Sequence, residues 1–427
     1  MTLPRSLRPP VTPTLADRRI LSLMALAGII AGYGGAVITN TLPYSRAGLD
    51  MTEGQMSLIL AIARIVSLGA VVFSISGDRR GRRSPFLIAF AMLPLANMAT
   101  AFAPNAATFA AFQAVARFGL IAAGVLGLVL LAEELTPGVR AYGLGIQALA
   151  TASGVGLSLV LVPFASSGDN WRIVFGLTGI GLLALPMLIR FLRESRAFDP
   201  QGLRVSFREA MGRGMGRVFW PLAAVSFFVH AFAAVTLDFA LERLISDLEW
   251  QAGAAIFLLA VTSGIGTAGT LIGGRLADVS GRRSTAVTSM ILGLAGGLGF
   301  YWFASGWPIA LAIFVGTLGS TMLAPVLAAW RAEVFPTPVR ATAAHWVTNV
   351  SILGSGTGLL IGFLLIDRVG LPLTVAILGL GMLFAISLAS LVPETRGRVL
   401  VRPSDGATRE GNRPAPPSSP QSTTTPR

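Results

Sequence analysis

Apolar stretches of roughly 20 residues follow one another along most of this 427-residue chain. Each is long enough to carry a helix across a bilayer. Hydrophobic residues make up 53% of the sequence and charged ones only 12%, with a mean hydropathy of +0.70. A soluble domain of this length is rarely so poor in charge. The pattern predicts spans at about 19–42, 55–77, 85–104, 107–132, 140–165 and 171–192, and again at 218–241, 251–276, 284–304, 307–332, 341–366 and 371–392. Residues 1–18 read as an N-terminal tail and 193–217 as a basic, Gly-containing linker. Residues 397–427, rich in Pro, Ser, Thr and Arg, have the composition of a disordered tail.

The charges then give direction. All 33 basic residues are arginine. Arg46, Arg172, Arg243 and Arg368 fall in loops on one side of the predicted spans, and Arg64 and Arg117 fall inside spans. The rest gather on the other side, in both tails, the linker and alternate loops. The positive-inside rule therefore predicts that both termini are cytoplasmic and that the chain is a multi-pass protein of the cell's plasma membrane. This alternation also explains the net charge of +13 without nucleic acid. Arg18 and Arg19 precede an apolar run, as in a signal peptide. The run is too long, with no small-residue cleavage site before Asn40, so it reads as the first span. Cysteine is absent, and His230 and His345 form no metal-ligand cluster in the sequence. No nucleophile–base pair or phosphate loop is recognisable, so neither an enzyme nor a cofactor is expected.

Charged residues recur at a fixed offset of 200. Asp78, Gly81, Arg82 and Arg83 match Asp278, Gly281, Arg282 and Arg283. Glu133 and Arg140 match Glu333 and Arg340, and Glu194, Ser195 and Arg196 match Glu394, Thr395 and Arg396. Gly154 and Gly156 match Gly354 and Gly356. Shared apolarity cannot place charges in register, so the chain reads as a duplication. An all-α membrane protein follows: twelve transmembrane helices in two six-helix bundles, residues 19–192 and 218–396, related by a pseudo-two-fold axis. The glycine in each loop permits a tight turn, and the arginines hold it on the anionic side of the membrane.

These loops resemble the motif that members of the major facilitator superfamily carry between helices 2 and 3 and between helices 8 and 9. The closing Pro393-Glu394-Thr395-Arg396-Gly397 resembles sugar-porter-like members, and the resemblance covers about residues 19–398. It implies a latch at the cytoplasmic end, with Asp78 facing Arg340 and Asp278 facing Arg140. Arg82, Glu133, Glu194, Arg282, Glu333 and Glu394 would be its neighbours. Ion pairs at a moving seam can form in one state and break in another. Arg79, Arg80 and Arg283 read instead as a solvated basic fringe.

Polar residues inside spans are costly and are the first candidates for a binding site. Tyr33, Asn40 and Tyr44 share one helical face, Gln113 lies four residues from Arg117, and Asn349 lies four from His345. Ser226, His230 and Asp238 fall on one broad face. The resemblance places helices 1, 4, 7 and 10 around a central cavity. Gln147 stands one residue from a glutamine expected in helix 5. The sharpest signals are Arg64 and Arg117, because no carboxylate lies at mid-depth in the spans of their own half. A buried guanidinium needs a counter-charge. An anionic substrate is one source; Asp238 or Glu242 across the seam, or backbone carbonyls, are the rivals.

Proton-coupled relatives often carry aspartate where Gly34 stands, so a coupling proton would need Asp238 or His230. The paired glutamines of helix 7 in sugar carriers are missing, as is the Gly-Pro pattern of drug antiporters. The expected activity is uptake of a small organic anion, a carboxylate, by a monomer in the lipid bilayer. A sugar or drug carrier of the same fold, or a non-transporting membrane sensor, are the alternatives.

Overall fold

The structure is a computed structural model that describes residues 12–136, 139–166, 168–194, 215–335 and 337–396. The far N-terminus, most of the linker and the C-terminal tail lie outside these. Twelve membrane-length helices run through the described residues. The first six are α1 (Leu15–Asn40), α2 (Glu53–Gly77), α3 (Arg83–Thr100), α4 (Ala106–Glu134), α5 (Tyr142–Ala165) and α6 (Asn170–Phe191). The second six are α7 (Gly216–Asp247), α8 (Ala252–Ser280), α9 (Arg282–Trp302), α10 (Trp307–Glu333), α11 (337–369) and α12 (371–389). Gly370 separates the last two with φ 79°, and Pro372 opens α12. Large apolar side chains such as Phe257, Leu271 and Leu380 point outward, which suits a surrounding of lipid rather than water.

Helix starts follow capping chemistry. Thr14 accepts from the amide of Asp17 at 3.1 Å while Asp17 accepts from the amide of Thr14 at 2.9 Å. Thr52 and Gln55 repeat this capping box at α2. One expectation fails here: α1 stops at Asn40, and Tyr44 lies in a separate short helix, Leu42–Gly48, so it does not continue the face of Tyr33 and Asn40.

The duplication governs packing. In each half the first helix crosses the fifth, the seam of α1 with α5 and of α7 with α11. A methyl group on Gly154 would collide with the carbonyl oxygen of Ile29 on α1. One on Gly354 would collide with that of Phe227 on α7. The repeated glycine thus marks the same backbone contact twice. Its neighbour does not: Gly156 faces open space, whereas Gly356 packs against Ile65.

An even number of crossings puts the first and last described residues, at the start of α1 and just after α12, at one face of the molecule, termed here the terminal face. At that face the two repeated loops have the same construction. Gly81 and Gly281 adopt φ 98° and 102°. A Cβ at these positions would come within 2.5 and 2.8 Å of Glu194 and Glu394 respectively. The freed space lets each glutamate cap the following helix. Glu194 accepts from the amides of Arg82 at 2.7 Å and Arg83 at 3.1 Å, and Glu394 from those of Arg282 at 2.9 Å and Arg283 at 3.0 Å. Negative charge there also complements the helix dipole.

Arg82 pairs with Glu133 and Arg282 with Glu333, the latter at 2.9 Å. Asp278 accepts from Arg282 of its own loop at 2.5 Å. Arg283 corrects the fringe expectation: its Nη2 donates to the Val392 carbonyl at 2.9 Å, and it pins the end of α12. The side chains of Asp78, Arg140 and Arg340 are outside the described set, so the expected Asp78–Arg340 and Asp278–Arg140 contacts fall there too.

Burial pushes the Glu394 carboxyl up, but the amides of Arg283, Arg282, Arg396 and Thr395 outweigh it and hold the group below its ordinary value. A depressed carboxyl contributes stability that is complete above the unfolded value, about 4.3, and lost as pH falls through the lower folded value. Glu394→Gln is therefore expected to lower the thermal midpoint at neutral pH. It should also make the further decline below about pH 4.3 shallower. An unchanged midpoint at pH 7 would remove Glu394 from the support of this loop.

Candidate functional site

A cavity of about 560 Å³ opens between the bundles, lined mainly by α7, α8, α9 and α10, with Thr39, Asn40 and Leu159 from the N-terminal half. Its walls are apolar, with Phe232, Phe300, Leu323 and Met382 among them. Its polar groups include Asn40, His230, Ser263, Thr317, Ser320 and Arg331. Along α10 it extends from Ala312 to Arg331, about 28 Å at the helical rise. A second, narrow cleft of about 20 Å³ holds Arg64, Gln113 and Arg117 beside Gly34 and Gly35. Thr39 borders both spaces.

The two intramembrane arginines part company here. Arg64 Nη2 lies 2.5 Å from Asp238 Oδ2, so its counter-charge comes from α7 across the seam. The absence of an acid in its own half, which made Arg64 a binding candidate, is met by the rival explanation. Arg117 has no hydrogen bond or ion pair among the described residues, though it lies within the electrostatic reach of both Arg64 and Asp238. Asp238 neutralises the first guanidinium and leaves the second.

Several other candidates pack or bond within the protein away from the large cavity. Gln113 is buried and donates to Asn97 at 3.0 Å and to Thr100 at 2.8 Å. Asn97 in turn donates to the Gly34 carbonyl at 2.9 Å. A side chain at position 34 would meet that amide, so Asn97 fills the space an aspartate would need. Tyr33 is buried and donates to the Val174 carbonyl at 2.7 Å, which ties α1 to α6. Gln147 packs against Gly28 with its Oε1 buried and without a partner among the described residues. Neither Gln147 nor Asn349 lines the cavity.

Two candidates do line it. Asn40 donates to Ser158 at 2.7 Å, which holds its amide at the cavity end remote from the termini. His230 Nδ1 sits 2.7 Å from the Ser226 carbonyl. Only an N–H satisfies a carbonyl, so Nδ1 carries the proton and Nε2 is left as the neutral ring's acceptor. The hydroxyls of Ser263, Thr317 and Ser320, and Arg331, were not among the candidates. Thr317 stands 200 residues from Arg117, so the repeat sets the two at equivalent places on α10 and α4.

The seam is closed from the face opposite the termini down to mid-depth. Arg46 pairs with Glu242 at 2.7 Å. Asp367 accepts from Thr52 at 2.6 Å and from the Gly54 amide at 2.9 Å. Ser57 donates to the Leu359 carbonyl at 2.7 Å. Arg64–Asp238 follows below. Among the described residues, no group of three or more His, Asp or Glu could hold a metal.

Twelve helices in two repeated bundles, with an apolar-walled cavity that carries a few hydroxyls, a histidine and an arginine, define a transmembrane carrier rather than an enzyme. The chain belongs to the Major Facilitator Superfamily, which it matches over residues 24–212 and 223–422. It is similar to a gentisate transporter of Corynebacterium glutamicum, 28% identical over 317 residues that cover 68% of each chain. It is also similar to a gallate transporter of Pseudomonas putida, 24% identical over 413 residues, 87% of this chain and 90% of that one. The crystal structure of a D-xylose-proton symporter shares the fold, with a TM-score of 0.74 over 90% of this chain and all of the other, at 21% identity.

Proposed function

We propose that this transporter takes up small aromatic carboxylates, ring-hydroxylated ones above all, by alternating access. The observation that carries the reading is Arg117, an intramembrane guanidinium without a protein counter-charge of its own, beside a cavity of apolar walls and hydroxyls. A carboxylate supplies the missing charge, the phenyl-lined walls suit a ring, and Ser263, Thr317 and Ser320 suit ring hydroxyls. Gentisate and gallate, named for the two relatives, are hydroxylated benzoates.

In this reading the terminal face is cytoplasmic, because the arginine-rich loops lie there. His230 is the seat of any coupling proton, since Asp238 is committed to Arg64 and position 34 is glycine. Sugars share the ring hydroxyls but not the charge, so charge decides between the two substrate classes. Purified protein in proteoliposomes is expected to show saturable uptake of gentisate or gallate and none of D-xylose. Uptake of xylose with no response to either acid would overturn the proposal.

A further inference from the structure

We propose that Arg331 is a second anion-binding station, which engages the carboxylate at the terminal-face mouth of the cavity as substrate passes between the central site and that side. The proposal rests on the aromatic-carboxylate reading and adds a site to it.

Arg331 sits at the last turn of α10 and lines the cavity with His230. Its Nε donates to the Leu327 carbonyl at 3.2 Å and its Nη1 to Thr348 Oγ1 at 3.0 Å. Both acceptors are neutral. They orient the guanidinium without compensating its charge. Nη2 has no partner among the described residues.

The nearest acid in sequence, Glu333, is already engaged. It accepts from Arg282 at 2.9 Å and from Thr395 at 2.6 Å. Two residues along a helix is also a turn of roughly 200°, so Glu333 leaves α10 on another side.

The duplication supplies an internal control. The residue 200 positions earlier is Leu131, fully buried in the core of the N-terminal half. The bundle therefore packs with an apolar side chain at this place. Arg331 is a departure from the repeat, and it lines the cavity of about 560 Å³. An arginine kept there at the expense of desolvation calls for an anion. A guanidinium presenting free N–H groups in one plane matches a carboxylate.

The alternative role is topological: one more arginine on the positive side, indifferent to what passes. Charge discrimination separates the two. The probes are 2,5-dihydroxybenzoate and its uncharged primary amide, added as competitors of counterflow to one face at a time of oriented proteoliposomes. In the wild type the acid is expected to compete at least about 10-fold better than the amide on the terminal face, the scale of a charged hydrogen bond. In Arg331→Gln that preference falls to below about 3-fold on the terminal face and is unchanged on the other.

Thr348→Val, at an exposed position, removes only the orienting hydroxyl and is expected to lower the preference in the same direction by about 2-fold. An unaltered preference in a folded Arg331→Gln overturns this station while leaving Arg117 as the anion site. If Arg331→Gln fails to fold, an unaltered preference in Thr348→Val overturns it. Equal competition by acid and amide in the wild type overturns the carboxylate reading itself.

Discussion

Arg117→Ala is expected to lower transport of an aromatic acid by at least about 100-fold, the loss of two charge-assisted hydrogen bonds worth roughly 1.5–3 kcal/mol each. The protein should stay folded. Removing one member of a buried ion pair normally strands the other charge, and that stranded charge is what destabilises. Arg117 has no such partner among the described residues. Alanine there relieves a desolvated cation and exposes no unpaired acid, so the thermal midpoint is expected to hold or rise. Arg117→Lys keeps the charge but not the fork, and an intermediate loss of about 10-fold follows. Counterflow of dihydroxybenzoate in proteoliposomes reads these values, with gel filtration as the check on folding. Normal counterflow by folded Arg117→Ala would take Arg117 out of the binding site.

Arg64 and Arg117 show how far such a site can be read before the fold is known. In the sequence each is an arginine inside an apolar run, with no acid at mid-depth in its own half. What separates them is the packing of α2 against α11 across the seam, which brings Asp238 of α7 within bonding distance of Arg64 and not of Arg117. That contact spans 174 residues, and no local pattern encodes it. The loops at the terminal face were legible because duplication prints their charges twice in register. Even there the partners were not. Glu194 and Glu394 serve backbone amides at the starts of α3 and α9, a role invisible without the positive-φ turns at Gly81 and Gly281.

The hydroxyls of the cavity gave no signal for a different reason. A serine in a helix can bond back to the carbonyl four residues earlier, as Ser320 does to Gly316 at 2.8 Å. It carries little penalty in a membrane and so does not stand out. Arg331 was hidden by its neighbours. Two residues from Glu333, it falls among the arginines that mark the positive side, and only the cavity wall sets it apart.

Asp238→Ala is expected to be strongly destabilising, at about 3 kcal/mol. That is the lower end for breaking a buried pair, because both side chains keep some exposure. The change leaves Arg64 facing the cleft that Arg117 already occupies, so two uncompensated cations then share one narrow space. The double variant Arg64→Met/Asp238→Leu removes both charges and fills the volume with apolar atoms. It should recover stability to within about 1 kcal/mol of the wild type.

Transport by the double variant then distinguishes two roles for the pair. If Arg64 only balances Asp238, the folded double variant carries an aromatic acid with an altered turnover, because α2 and α7 no longer hold each other across the seam. If Arg64 also touches the substrate, stability returns and transport does not. The closed half of the seam favours the first outcome. Arg46–Glu242, Thr52–Asp367, Ser57–Leu359 and Arg64–Asp238 form one descending series of bonds between the bundles, and the last is its deepest member rather than an isolated site. A double variant that folds normally yet transports nothing would break that series and return Arg64 to the binding site.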